Sequence, residues 1–180
     1  RFMFNLGAGA GAMILQKNAG GHEVLEAALI TDGSFSEDVV VPVGGTKEPL
    51  TIEHIQAGRF ILDVLDPEGM KLRLEQKSLS NFLKVIRQSL QKSGYSEENL
   101  DYVAMLHMKK SAHDYVLNEL GLSEGNSIYL SHYGHIGQID QILSLYLARK
   151  VGKLQEGQIV SLVSAGIGYA WGAITVKWGA

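Results

Sequence analysis

The chain contains no cysteine. Disulfides, thiolate metal sites and a cysteine nucleophile are therefore excluded from these 180 residues. Proline is limited to Pro42 and Pro49, which mark turns, and Pro67, which opens a helical pattern. Charge of either sign is not in excess. A formal net charge of −3 leaves no basic footprint for nucleic acid and no strong acidic signature. No apolar run approaches the roughly 20 residues that span a bilayer, and Arg1-Phe2-Met3-Phe4-Asn5 lacks the polar-to-apolar progression of a secretory signal. A cytoplasmic protein without membrane or nucleic-acid partners is the expectation. There is no initiator methionine, and the chain opens on apolar residues that read as the approach to a strand. It is expected to be part of a longer polypeptide. What remains, 46% hydrophobic and 19% charged, describes one ordinary globular domain with enough chain to bury a core.

Along the chain, Gly7 to Gln16 read as small residues turning into a strand, and Glu23 to Thr31 as a second strand ending at Asp32-Gly33-Ser34. Phe35 to Leu50 are irregular. Thr51 to Val64 lean to extended structure, because Arg59 to Val64 are rich in strand formers. From Pro67 a long helix is predicted, with Leu72, Leu79, Phe82, Leu83, Ile86 and Leu90 on one face and Gly94 as its C-cap. A strand ending at Leu106, a helix stopped by Gly121, a strand at Ser127 to Leu130 and a helix ended by Gly152 follow. Strands at Ile159 to Val163 and Tyr169 to Lys177 flank the loop Ser164 to Gly168. The alternation argues for an α/β fold whose largely parallel sheet carries packed helices and closes in an antiparallel hairpin.

The chemistry-bearing residues are His107 and His135. Each sits just past a strand-like run, and one helix lies between the two runs. Active sites of open α/β sheets form outside the carboxyl ends of the strands, so both imidazoles can converge on one substrate atom. Taken alone, a histidine after a strand is more often a structural hydrogen-bonder. His132 reads as a loop residue and His113 as a helix-face residue, and His22 and His54 carry no functional case. Lys109 and Lys110 read as a solvated helix start, with contact to a phosphate as the alternative.

Four segments in order resemble the thiolase superfamily, in its β-ketoacyl-acyl carrier protein synthase III branch. Gly7-Ala8-Gly9-Ala10-Gly11-Ala12 resembles the family's Gly-Asp-Gly-Ala-Gly-Ala entry, with Ala8 where aspartate is usual. Leu100 to His107 resembles the strand that ends in the catalytic histidine. Tyr133-Gly134-His135-Ile136-Gly137 stands where the family carries its catalytic asparagine. Leu154 to Val160 followed by Gly166-Ile167-Gly168-Tyr169-Ala170-Trp171-Gly172 resembles the closing hairpin and glycine loop.

The resemblance covers residues 1–180, matched to the family's C-terminal half. It implies a thiolase-like domain with a five-stranded mixed sheet, helices packed on it and a closing antiparallel hairpin. It implies an acyltransferase that condenses an acyl thioester with malonyl-acyl carrier protein or a related acceptor in fatty acid or polyketide-type synthesis. His107 and His135 would be catalytic, the Ile167 N–H an oxyanion donor, and Gly166 and Gly168 its glycine loop. The nucleophilic cysteine belongs to the family's other half, so these residues alone would be inactive. No cofactor or metal is implied, the substrates riding on coenzyme A or the phosphopantetheine of acyl carrier protein. A homodimer is implied for the whole protein.

In such a condensation, negative charge develops on the thioester oxygen, where two preorganised donors supply most of the help. The family uses His and Asn; a second histidine resembles the Cys-His-His set of elongating synthases. An amide always donates, but an imidazole must be in the right tautomer. A helix beginning near Gly137 would favour neutral His135. A second proton-transfer group also suits acyl transfer without decarboxylation, or hydrolysis. The departures at Ala8, at His107-Met108-Lys109-Lys110 and at His135 keep open a reading from another class, a non-catalytic thiolase-fold scaffold that supports a catalytic partner.

Overall fold

The computed structural model describes residues 6–179. Strands β1 (Glu23–Thr31), β4 (Leu100–Met105), β5 (Ile159–Gly166) and β6 (Ala170–Lys177) form one mixed sheet in the order β1-β6-β5-β4. Only β4 and β5 run parallel; β5–β6 and β6–β1 are antiparallel. The two-residue strands β2 (Val39–Val40) and β3 (Asp63–Val64) pair apart from it. Helices α1 (Ile52–Gln56), α2 (Pro67–Lys92), α3 (Lys110–Glu119) and α4 (Ile139–Lys150) complete the fold.

β4 is buried on both faces, as a strand with helices on both sides must be. Val103 and Met105 point into a core shared with Phe82, Ile86 and Leu90 of α2 and Val116 of α3. Tyr102 and Ala104, on the alternate positions, pack with Leu145 and Ala148 of α4. Each large buried side chain stabilises the fold by about 1.5–3 kcal/mol.

The three long helices stop for one reason. Past α2, Gly94 has φ +81°, and Tyr95 N–H donates to Leu90 C=O at 3.0 Å. Gly121 after α3 and Gly152 after α4 repeat this left-handed cap, with Leu122 N–H bonded to Leu117 C=O and Lys153 N–H to Ala148 C=O. At the other end of α2, the Asp66 carboxylate accepts from Gly69 N–H at 2.9 Å, and Pro67 occupies the first turn.

Three sequence expectations differ from the structure. Gly7 to Gln16 join no ladder: after an isolated Leu6–His135 bridge the segment is irregular, and Ile14 is 95% exposed. A Gly-Ala run has almost no side chain to pack on a sheet. Residues 51–64 open with the short helix α1, whose cap is the Thr51 hydroxyl accepting from His54 N–H, and reach extended pairing only in β3. Ser127 to Leu130 lie beside β4, but Asn126 Nδ2 and Ser127 Oγ donate to the Asp101 and Val103 carbonyls in place of a main-chain ladder. Among the described residues the sheet therefore has four strands where five were expected, and it is less parallel than the alternation suggests.

Candidate active site

The carboxyl ends of β4 and β5 carry the site. Leu106 N–H still bonds Val163 C=O at 3.2 Å, extending the parallel pairing one residue past β4. At His107 the chain leaves the sheet. The first turn of α4 docks there by two side chains. Gln141 Nε2 donates to Val163 C=O at 2.9 Å. Its neighbour Asp140, fully buried at 0% exposure, binds both histidine segments. Asp140 Oδ2 accepts from His107 N–H at 2.8 Å and from the His135 ring at Nδ1, 2.6 Å away. Asp140 Oδ1 accepts from Ile136 N–H at 2.7 Å.

Burial alone would push the Asp140 carboxyl upward. The bonds from the His135 ring and from the His107 and Ile136 amides outweigh it and hold the group below its ordinary value. Its place in the first turn of α4, at the positive end of the helix dipole, favours the same charge. An ionised carboxylate only accepts, so His135 Nδ1 carries its proton. In the neutral ring Nε2 is then left as an acceptor.

His107 is in the opposite state. Burial depresses its pKa, the Asp140 charge opposes that, and His135 depresses it further. Its Nδ1 is buried with no partner among the described residues. A buried orphan N–H is rarer than a buried orphan acceptor, so the ring proton belongs on Nε2. His107 thus presents a donor and His135, in its neutral form, an acceptor, arranged around one carboxylate.

Ile167 lies at the tip of the β5–β6 hairpin, on the same sheet edge, and is 50% exposed. Gly166 closes the ladder opposite Ala170, and a Cβ there would meet nothing within 4 Å. Gly168 has φ +139°, a conformation that demands glycine. Ser164 Oγ donates to Gln138 Oε1 at 2.8 Å, tying this hairpin to the start of α4. Gly7 N–H bonds His135 C=O at 2.9 Å, so the glycine run holds the histidine loop instead of forming a strand.

The remaining histidines are placed elsewhere. His132 is exposed in its loop. His22 stacks on Trp178 at 3.8 Å and accepts from Gly179 N–H, and His54 pairs with Glu48 at 3.3 Å. His113 is not on an open helix face: it is 3% exposed, and burial pushes its pKa down to about 4. Lys109 and Lys110 are exposed, Lys110 pairing with Asp114 at 2.5 Å. Asp140 is the residue that sequence reasoning missed. Its signal was an acid five residues after His135, in the first turn of a predicted helix.

The fold is thiolase-like, with one histidine just past the carboxyl end of β4 and the other in the loop before α4. Residues 90–178 match the family described as 3-Oxoacyl-[acyl-carrier-protein (ACP)] synthase III C terminal. The chain is thus β-ketoacyl-acyl carrier protein synthase III-like, matching the C-terminal half. It is 26% identical over 174 residues to the β-ketoacyl-[acyl-carrier-protein] synthase III of Symbiobacterium thermophilum, covering 96% of this chain and 51% of the relative. The enzyme of that name from Syntrophomonas wolfei is 27% identical over 179 residues, with the same two shares. The chain thus spans about half the length of the curated relatives it matches. The crystal structure of 3-oxoacyl-[acyl-carrier-protein] synthase III from Aquifex aeolicus superposes with a TM-score of 0.70 at 16% identity, covering 90% of this chain and 46% of that one.

Proposed function

We propose that this chain supplies the proton-handling half of a synthase III-type acyltransferase. It would act on an acyl group delivered by coenzyme A or acyl carrier protein, with the nucleophile coming from residues outside these 180. The observation that carries the reading is the sharing of buried Asp140 between His107 and His135 at the sheet edge. Through Nε2–H, His107 donates to the thioester oxygen as charge develops on it, and the Ile167 amide is the second proposed donor. No cofactor is needed for these steps. A homodimer is the assembly this reading favours.

The relatives are named for a β-ketoacyl-acyl carrier protein product, and malonyl-acyl carrier protein is the acceptor we propose for it. Loss of carbon dioxide then leaves an enolate, its carbon attacks the acyl thioester, a C–C bond forms and the nucleophile's thiolate departs. A second reading follows from the His135–Asp140 bond. Neutral His135 presents a lone pair, which suits an acceptor that must lose a proton. A hydroxyl or amine acceptor would give that proton to Nε2, and the Asp140 carboxylate would stabilise the resulting imidazolium.

The experiment uses the intact protein with radiolabelled acyl-coenzyme A, offered malonyl-acyl carrier protein or unactivated hydroxyl and amine acceptors. Ketoacyl product with release of carbon dioxide supports condensation. Ester or amide without carbon dioxide supports the second reading. Absence of any acyl transfer would leave the non-catalytic scaffold.

A further inference from the structure

We propose that Tyr129 is a positioning residue for His107, fixing the direction in which its Nε2 donor points. The proposal rests on the acyltransferase reading above and adds a residue to it. The two histidines differ in what orients their rings. His135 is held by its bond to Asp140, whereas His107 Nδ1 has no partner among the described residues. Only packing can then set the His107 ring. Tyr129 lies against it, with ring centroids 5.0 Å apart and planes tilted by 39°.

Tyr129 is itself braced. Its hydroxyl donates to the Met108 carbonyl at 3.0 Å, one residue after His107. With Asp140 holding the His107 N–H, the main chain is fixed before and after the histidine. The His113 ring meets Tyr129 edge-on at 5.3 Å, and Lys110 Nζ sits 5.5 Å from its centroid. Two residues before Tyr129, Ser127 Oγ bonds Val103 C=O at 2.8 Å and anchors the segment to β4. The charge state of His107 is set by burial, by Asp140 and by His135, while Tyr129 packs on His107 and on His113 and Lys110 of α3.

The test compares Y129F, Y129L and Y129M in the intact protein. Y129F keeps the ring and loses only the hydroxyl bond, whereas Leu and Met remove the planar face. The step after acylation should fall about tenfold to a hundredfold in Y129L, through kcat with KM little changed, and fall clearly less in Y129F, which loses the brace to Met108 and keeps the ring. His107, followed by ring nitrogen shifts in NMR, should titrate nearer its ordinary value in Y129L and lose its single tautomer. If Y129L fails to fold, Y129M carries the same comparison. An unchanged His107 titration and tautomer in both variants would overturn the proposal, even with acyl transfer established. Altered His107 shifts in a protein that transfers no acyl group would keep Tyr129 as the positioning residue and overturn the acyltransferase reading instead.

Discussion

Asp140 Oδ2 lies 2.6 Å from His135 Nδ1 and accepts the His107 amide through the same oxygen. One buried carboxylate thereby fixes a histidine's tautomer on one segment and the main chain of a histidine on another. D140A should leave the His107 and Ile136 amides and the His135 ring N–H without their acceptor. A loss of about 3 kcal/mol or more is expected, at about 1–3 kcal/mol for each orphaned donor, and chemical denaturation would read it. D140N keeps the shape and much of the fold. Single-turnover transfer should still slow on the order of a hundredfold or more, because the amide no longer favours a single His135 tautomer.

The histidine variants separate donor from acceptor. H107A in the intact protein should block the step after acylation and leave loading of the acyl group largely intact. Mass spectrometry of the acylated protein, followed by product analysis, reads the two steps. H135N should lose the second step too if His135 takes up a proton. Retained activity in H135N would make that residue an oxyanion donor and favour malonyl condensation.

Stability should fall with acid, and two of the buried groups contribute in separate pH ranges. His113 titrates near 4 in the folded chain against an ordinary 6.5. Its contribution is full above pH 6.5 and is lost as pH drops from there towards 4, because the unfolded chain binds the proton first. The effect is at most about 3 kcal/mol, at about 1.4 kcal/mol per unit. Asp140, held low, contributes above the ordinary carboxylate range, and that contribution disappears as pH falls through its folded value. H113L should flatten the slope of unfolding free energy between pH 4 and 6.5 and leave the lower-pH loss in place.

Gly7 tests the tether on the histidine loop. A Cβ at this position would lie 2.1 Å from the Tyr133 carbonyl oxygen. G7A must therefore push the glycine run away from the loop and lengthen the Gly7–His135 main-chain bond. A loss of about 1–3 kcal/mol is expected, with a broadened His135 signal in NMR. A silent G7A variant would mean that the run does not constrain His135.

Much of this was legible in the sequence, and the limits have physical causes. Gly94, Gly121 and Gly152 marked three helix ends, because a left-handed residue is cheap only as glycine. β4, β5 and β6 announced themselves by apolar runs bounded by turn residues. The segment at Ser127 to Leu130 has the same composition, but composition does not report whether the amides or the side chains make the bonds to β4. For Arg59 to Val64, the Thr51 cap upstream and pairing of just two residues limited what strand propensity could achieve. His107 and His135 were visible from their positions after apolar, strand-like runs. Asp140 was hidden because it reads as an ordinary acid at a helix start, and only the folded chain buries it between two loops. Tyr129 was hidden for a similar reason, since its partners are His107 and Met108 past β4 and His113 and Lys110 in α3.

The most direct measurement is the ring-nitrogen NMR spectrum of the intact protein with 15N-labelled histidine, at neutral pH. The account predicts opposite tautomers at the two sites: His107 protonated on Nε2, and His135 protonated on Nδ1 with the downfield proton of a carboxylate-bonded ring. D140N should erase the His135 signature and leave the His107 ring protonated on Nε2. Identical tautomers at the two histidines, or a His135 Nδ1 without a proton, would contradict the account.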